Sequence, residues 1–206
     1  IMSMNRKLFL LLFLISPLFL MGQSSDLSKY LEGAVPVVNG QVTFEKTYQV
    51  PGKSRAEIYV LLKDYTLNQI INGPNHLEQC SFTETDSING ILAASIEENL
   101  YFKRKAWVTH YVRFYYQLIY RIDDGNFSVQ MRRMYYLYDD DKREEEYRAE
   151  NWIVDSEALN KKKDGLTRIS GKFRKYTIDR KDEIFKGAAK SVGVTPSKKI
   201  IIVDEE

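Results

Sequence analysis

Asp124 and Gly125 separate two long runs of alternating apolar and polar residues, Val108 to Ile122 and Phe127 to Tyr138. An Asp-Gly pair readily adopts the positive dihedral angles of a two-residue turn, so the sequence predicts a long antiparallel hairpin. The predicted register pairs Ile122 with Phe127, Tyr120 with Val129, Leu118 with Met131 and Phe114 with Tyr135. A shift by one residue would place charged side chains on this apolar face, so the turn and the pattern favour the same register.

The other face of the hairpin mixes aromatic and cationic side chains. It carries Tyr111, Arg113, Tyr115, Gln117, Arg121, Arg132, Met134, Tyr136 and Tyr138. One interpretation is an amphipathic outer surface, in part covered by the segment that follows. The other is a docking face for a sugar or a partner protein, since tyrosine and arginine are enriched at such contacts.

Other signals surround the hairpin. A strand from Val42 to Val50 is followed by Ser54 and Glu57, which form a capping box for an amphipathic helix. Two strands are expected to meet at the turn dipeptide Asn89-Gly90. A last helix is expected to begin at Thr177 or Asp179 and to end at Gly193. The order strand, helix, antiparallel strands, helix predicts an α+β fold with one domain over residues 35–193. Residues 23–34 are a lead-in, and residues 194–206 form a tail.

Residues 1–22 have the pattern of a secretory signal peptide. Arg6 and Lys7 precede an apolar run, Leu8 to Met21, which gives way to polar residues at Gln23. The run is short for a membrane span, and no cysteine follows it directly to accept a lipid. We therefore expect an exported protein, periplasmic or secreted, without a transmembrane segment in the mature chain and without a lipid anchor.

The charge of the chain argues against nucleic acid as a partner. The chain has 30 basic and 28 acidic residues, and Arg6 and Lys7 belong to the predicted leader, so the mature protein is neutral. A neutral protein lacks the excess positive charge that phosphate backbones attract. The acidic block Asp139 to Glu157 precedes the basic block Lys161 to Lys181. These blocks are either two solvated surfaces or, on the basic side, a strip for anionic lipid or polysaccharide. That strip would hold Lys161, Lys162, Lys163, Lys172, Arg174 and Lys175.

Several short stretches resemble a known family. They are Val35-Pro36-Val37, Val42 to Lys46, Ala149 to Ile153, Asn160 to Lys163, Ser170 to Arg174 and Thr177-Ile178-Asp179. They are similar to a family of exported Gram-negative proteins catalogued as a domain of unknown function (4468) with a fold like that of the TATA-box-binding protein. The resemblance implies a curved antiparallel sheet packed on a C-terminal helix, similar to helix-grip proteins that hold apolar ligands. It implies no catalytic residues, and passing from fold to function is analogy.

The leading hypothesis is a non-enzymatic binding or accessory module that holds an apolar small ligand between the sheet and the last helix. The candidate ligand-binding residues are Phe114, Tyr116, Tyr120, Phe127, Tyr135 and Phe185, with tyrosine hydroxyls orienting the ligand. The alternative is a cell-envelope module that binds a protein or glycan. Its candidate residues are Tyr111, Arg113, Tyr136, Tyr138, Lys161, Lys162 and Lys163.

Residues for catalysis or metal binding are few. Cys80 and His110 are a candidate nucleophilic pair, and His76 would complete three ligands of a zinc site, but the spacing matches no recognised motif. Carboxylates on neighbouring strands, Glu84 and Asp86 with Glu97 and Glu98, are a candidate glycosidase pair. Each of these cysteine, histidine and carboxylate residues also has a simpler interpretation, as a buried structural residue or a solvated surface residue. We expect no catalytic residues, no bound metal and no cofactor.

Overall fold

The computed structural model describes residues 27–105, 108–140 and 143–195. Within them the strands are β1 (Val37–Val38), β2 (Gln41–Gln49), β3 (Ser81–Asp86), β4 (Ile91–Lys105), β5 (Val108–Asp123), β6 (Asn126–Asp140) and β7 (Arg143–Arg148). The helices are α1 (Arg55–Tyr65), α2 (Asp155–Ala158) and α3 (Ser170–Ser191). A π-helical turn, Thr66–Ile71, continues α1, and short 3-10 turns lie at Leu27–Tyr30 and Ala149–Asn151. The predicted leader and the tail from Ile200 to Val203 lie outside the described residues.

The described strands form one antiparallel sheet in the order β1-β2-β6-β5-β4-β3, with β7 also paired to β6. β2 pairs with residues 126–132 of β6, and β7 pairs with residues 135–140. The apolar face of the sheet is covered by α1 and α3, which contact each other. The predicted α+β fold, an antiparallel sheet with a C-terminal helix, is confirmed.

The predicted hairpin register is confirmed over the half nearest the turn. Ile122 pairs with Phe127, Tyr120 with Val129 and Leu118 with Met131. Beyond Gln117, which pairs with Arg132, the register shifts by one residue, so that Tyr115 pairs with Tyr135 and Phe114 with Tyr136. The extra residue lies in β6, where Arg133 adopts a left-handed conformation with φ 53°. This is a β-bulge, and it reverses the side-chain alternation of β6 after Arg133.

The bulge corrects the face assignments of Met134, Tyr135 and Tyr136. Tyr135, expected on the apolar face, lies on the other face and stacks on Tyr115 with ring centroids 4.5 Å apart. Met134 and Tyr136, expected on the mixed face, are buried in the core. The Tyr136 ring stacks on Phe114 at 5.1 Å, and its hydroxyl lies 2.6 Å from the hydroxyl of Thr177 on α3. Tyr136 is therefore no part of an exposed interaction face.

The capping box of α1 is confirmed. The Ser54 hydroxyl accepts from the Glu57 backbone amide, and the Glu57 carboxylate accepts from the Ser54 backbone amide at 2.8 Å. These bonds satisfy two amides that would otherwise lack partners at the helix start. Ile58 and Leu62 on the apolar face of this amphipathic helix are fully buried, so α1 lies where the sequence pattern placed it.

The start of α3 was predicted wrongly, whereas its end was predicted correctly. α3 begins at Ser170 rather than at Thr177 or Asp179. The Thr167 hydroxyl accepts from the Gly171 amide at 2.9 Å, which satisfies one amide of the first turn before the expected start. At the other end Gly193 has φ 88°, and the Val194 amide donates to the Ala189 carbonyl at 2.9 Å. This is a Schellman ending, which favours glycine at the left-handed position.

Arg174 is buried rather than part of a basic strip. Its guanidinium donates to the carbonyls of Tyr30 (2.6 Å), Leu31 (2.5 Å) and Ile153 (2.8 Å) and pairs with the Asp155 carboxylate at 2.7 Å. The side chain has no exposed surface, so these contacts replace the water that the cation loses. Arg174 thereby fastens the segment before β1 to α3.

The three lysines of the alternative interaction surface lie in the turn between α2 and α3, and all are exposed. Lys163 has φ 58° and forms an ion pair with Glu32 at 2.5 Å. Lys161 and Lys162 stay on the surface. Within the described part of the chain, none of the helices has the length and apolar character that crossing a bilayer requires.

Candidate functional site

The space between the middle of the sheet and α3 is filled by aromatic side chains. Five of the six candidate ligand-binding residues lie in this packed region, and each has at most 3% of its surface exposed. They are Phe114, Tyr116, Tyr120, Phe127 and Phe185. The Phe114 and Tyr116 ring centroids are 4.9 Å apart, and Tyr48 stacks on Phe127 at 5.2 Å. These side chains therefore belong to the hydrophobic core and do not line an open ligand cavity.

The hydroxyls of the buried tyrosines are bonded to protein groups. Tyr116 donates to the Glu98 carboxylate at 3.1 Å, and the hydroxyls of Thr66 and Tyr120 lie 3.2 Å apart. Burial raises the pKa of both phenols well above the ordinary value, because the interior disfavours the charged form. These hydroxyls are therefore bonded within the protein and are not available to orient a ligand.

An open cleft of about 800 Å³ lies at the end of the sheet remote from the Asp124-Gly125 turn. It is bounded by the ends of β4, β5 and β6, by β7, and by the first turn of α3 with the residue before it. Its lining residues are Leu77, Asn99, Phe102, Thr109, His110, Tyr111, Val112, Arg113, Leu137, Tyr138, Tyr147, Trp152, Ile169, Lys172 and Phe173. Tyr111, Arg113 and Tyr138 of the predicted interaction face thus line this cleft, whereas none of the predicted ligand-binding residues does.

An aromatic cluster forms one wall of the cleft. Trp152 and Tyr147 stack with ring centroids 4.4 Å apart, and Phe173 meets Trp152 edge to face at 5.8 Å. Phe102 lies 4.8 Å from Phe173. We call Phe102, Tyr147, Trp152 and Phe173 the aromatic wall. Sequence reasoning missed it because its members come from β4, β7, a turn and α3.

Local structure holds Trp152 in place. The 3-10 turn Ala149–Asn151 is closed by backbone bonds from the amides of Trp152 and Ile153 to the Ala149 carbonyl, at 3.1 and 3.0 Å. Ala149 and Ile153 are fully buried on either side. The tryptophan ring is therefore fixed between two anchored residues, and its position does not depend on a ligand.

Polar groups around the cleft are cationic or neutral. Lys172 holds its ammonium 5.0 Å from the Phe102 ring centroid, a cation–π contact. Arg113 adds a second cation and His110 an imidazole, and the described residues of the lining include no carboxylate. The indole Nε1 of Trp152 is buried and has no hydrogen-bond partner among the described residues. Such a donor is costly unless a bound molecule or water satisfies it.

Comparison with solved structures places this chain in a family. A DUF4468 family protein from Bacteroides ovatus is 32% identical, with a TM-score of 0.74; the match covers 84% of this chain and 98% of that protein. This chain belongs to the DUF4468 family. The family model, described as a domain of unknown function with a TBP-like fold, matches residues 44–137. The family predicted from the sequence is therefore confirmed.

A second solved structure shows the same fold. A TBP-like protein from Parabacteroides distasonis is 15% identical to this chain, with a TM-score of 0.61. The match covers 77% of this chain and 96% of that protein. No protein with a curated description matches the chain. Tyr147, Trp152 and Phe173 lie after the residues that the family model matches.

The candidate nucleophilic pair is not assembled in the DUF4468 chain. The Cys80 thiol donates to the Glu97 carbonyl at 3.0 Å, whereas His110 pairs with Lys103, six residues farther along β4. At about 3.3 Å per residue the separation is roughly 20 Å. Burial also raises the pKa of the thiol, which disfavours the reactive thiolate. His76 forms an isolated backbone β-bridge with Glu98, and the described residues contain no group of three side chains suited to a metal ion.

The candidate carboxylates are also separated. Glu97 and Glu98 are consecutive in β4, so they lie on opposite faces of the sheet. Glu97 accepts from the Tyr115 hydroxyl at 2.5 Å, and Glu98 forms an ion pair with Arg180 at 2.7 Å. Glu84 is exposed on β3 opposite Ala93. Because Glu84 lies opposite Ala93, it is four to five residues along β4 from Glu97 and Glu98 and shares no space with them.

Proposed function

We propose that the protein is a non-enzymatic binding module that takes a small, ring-bearing apolar ligand in the end cleft. The aromatic wall is the observation that carries this proposal. Ligand sites are typically 300–1,000 Å³ and lined by aromatic and apolar side chains with a few polar groups. The cleft, at about 800 Å³, has that size and composition. Cys80, Glu97 and Glu98 are engaged in structural bonds, which supports binding rather than catalysis.

The ligand would lie against the aromatic wall. A flat ring can stack on the Trp152 and Tyr147 pair or meet Phe173 edge to face, both of which are favourable aromatic arrangements. Ile169, with 61% of its surface exposed, would lose contact with water when the ligand binds. The cleft is preformed by packed side chains, so binding requires little ordering of the protein.

We test this proposal with N-phenylnaphthylamine, a neutral dye whose fluorescence rises in apolar surroundings. Two exposed isoleucines give a matched pair of variants. Ile169→Ser removes apolar surface from the cleft, whereas Ile88→Ser removes it from the turn between β3 and β4, where Ile88 is 82% exposed. We expect saturable binding that Ile169→Ser weakens about fivefold or more and Ile88→Ser leaves unchanged. No saturable binding, or equal effects of both variants, would overturn the proposal.

A second candidate function is binding of a partner protein that inserts a side chain into the same cleft. Its support is the exposure of Tyr111 (50%) and Tyr138 (44%) at the cleft, since tyrosines of this kind are frequent at protein interfaces. Lys161 and Lys162 would add charge to such a contact. Native mass spectrometry of protein purified from its own cells separates the two cases, because a small molecule and a protein add very different masses.

We also propose that the protein is exported, from the basic head and apolar run of residues 1–22. The test is N-terminal sequencing of the protein recovered from the envelope and the culture medium. A start close to Gln23 supports export with cleavage. Recovery only from the cytoplasm with an intact leader would overturn it.

A further inference from the structure

The charged side chains among the described lining residues of the end cleft have one sign. Arg113 and Lys172 are cationic, and no acidic residue is among the described residues of the lining. Of the acidic side chains of β7 that the structure describes, Glu145 accepts from the Tyr147 hydroxyl and Glu146 forms an ion pair with Arg148 at 3.0 Å. The open volume is therefore walled by aromatic rings and cations. Such a surface is electrostatically complementary to an anion.

Lys172 occupies a position that helix electrostatics disfavour. It lies in the first turn of α3, where the helix dipole is positive, and that turn contains no acidic residue. The amides of Gly171 and Lys172 are already bonded, to the Thr167 hydroxyl and to the Ile169 carbonyl, both at 2.9 Å. The helix end therefore adds positive potential while these two amides are occupied, and the ammonium of Lys172 is the group of this turn that can bond an anion.

Lys172 also places a positive charge directly beside the aromatic wall, where an amphipathic molecule could contact both. Its ammonium lies over the Phe102 ring at 5.0 Å, so the charge borders the aromatic wall rather than open surface. A ligand with an apolar ring and an oxygen-bearing anionic group would contact both the aromatic wall and this ammonium.

We propose that the ligand of the end cleft is an amphipathic anion, with an apolar ring on the aromatic wall and a single carboxylate or similar group bonded by Lys172. This inference rests on the proposed function, because it specifies the ligand class of the same cleft. A charge-assisted hydrogen bond of this kind increases affinity about tenfold.

The test compares two probes of the same shape, naphthoate and naphthylmethanol, which differ only in carboxylate against hydroxymethyl. Each is titrated into the native protein, into Lys172→Gln and into Lys186→Gln, with tryptophan fluorescence or calorimetry as the readout. Lys186 is an exposed lysine of the same helix outside the cleft lining, so its substitution controls for net charge. Circular dichroism checks that each variant is folded.

We expect naphthoate to bind about tenfold more tightly than naphthylmethanol, a preference that Lys172→Gln abolishes and Lys186→Gln preserves. Equal binding of both probes, or a preference that survives in Lys172→Gln, would overturn the anion inference and leave the binding proposal standing. If neither probe nor N-phenylnaphthylamine binds, the proposed function itself fails, and the inference fails with it.

Discussion

The carboxylate of Glu98 on β4 and the guanidinium of Arg180 on α3 form a bidentate ion pair across the core. Arg180 Nε lies 2.8 Å from Oε1 of Glu98, and Nη2 lies 2.7 Å from Oε2. Only 2% of the Glu98 side chain and 12% of the Arg180 side chain are exposed. The helix that bounds the cleft is thus fixed to the sheet by a directional contact as well as by apolar packing.

Removing one member of this pair should destabilise the protein strongly. We expect Glu98→Gln to lower the free energy of unfolding by about 3 kcal/mol, because Arg180 loses its buried counter-charge. The double variant Glu98→Leu with Arg180→Met removes both charges and should recover most of that loss. Urea denaturation of the single and double variants measures both values. A single substitution that costs less than about 0.5 kcal/mol would show that the pair is not buried in solution.

Arg174→Met should release the segment before β1. The substitution leaves the carbonyls of Tyr30, Leu31 and Ile153 without their donor, so we expect a loss of about 3 kcal/mol or more. Trypsin should then cleave after Lys29 faster than in the native protein, since cleavage requires local unfolding. Arg168→Met, at an exposed position just before α3, is the control and should change neither value. Unchanged cleavage in Arg174→Met would contradict the anchoring role.

The bulge at Arg133 predicts a residue-specific response. A left-handed conformation costs a non-glycine residue about 1–2 kcal/mol and is worst for β-branched side chains. We therefore expect Arg133→Val to lower the free energy of unfolding by about 1–2 kcal/mol and Arg133→Gly to keep or raise it. Arg121→Val, at an exposed position of β5 without positive φ, should change it by less than about 0.5 kcal/mol. Equal effects at both positions would argue against the strained geometry.

The same bulge separates the part of the hairpin register that the sequence predicts from the part that it does not. The turn dipeptide and the alternation were sufficient to place Leu118 opposite Met131, because both signals are local. Nothing in the sequence marks Arg133 as left-handed, as a glycine would have done. Every later residue of β6 was therefore assigned to the wrong face, including Tyr135 and Tyr136.

Sequence analysis wrongly placed Arg174 on a basic surface and missed the aromatic wall, because both depend on contacts between residues far apart in the sequence. Arg174 occupies the same helical stripe as Ile178 and Phe185, a signal that could have predicted its burial. Its partners, however, are carbonyls about 20 and more than 140 residues away, at Ile153 and Tyr30. The cleft likewise depends on segments that meet only in the folded chain, so the aromatic wall leaves no local pattern.

Alkaline pH should destabilise the protein through its buried tyrosines, of which Tyr65 is the most tractable. Burial raises the pKa of Tyr65 from 10.0 to about 12. Between these values the unfolded chain loses the phenolic proton and the folded chain keeps it, so stability is complete below pH 10 and falls as the pH approaches 12. A two-unit difference corresponds to about 3 kcal/mol. Tyr65→Phe removes the titrating group and should flatten this decline in urea denaturation.

The substitution also has an effect at neutral pH, which provides the internal control. The Tyr65 hydroxyl donates to the Ile184 carbonyl at 3.1 Å, so Tyr65→Phe should cost about 1 kcal/mol at pH 8. The hydroxyl of Tyr59 is buried without a partner among the described residues, and Tyr59→Phe should be neutral or stabilising at that pH. If stability declines equally between pH 10 and 12 in Tyr65→Phe and in the native protein, Tyr65 does not contribute to the alkaline loss.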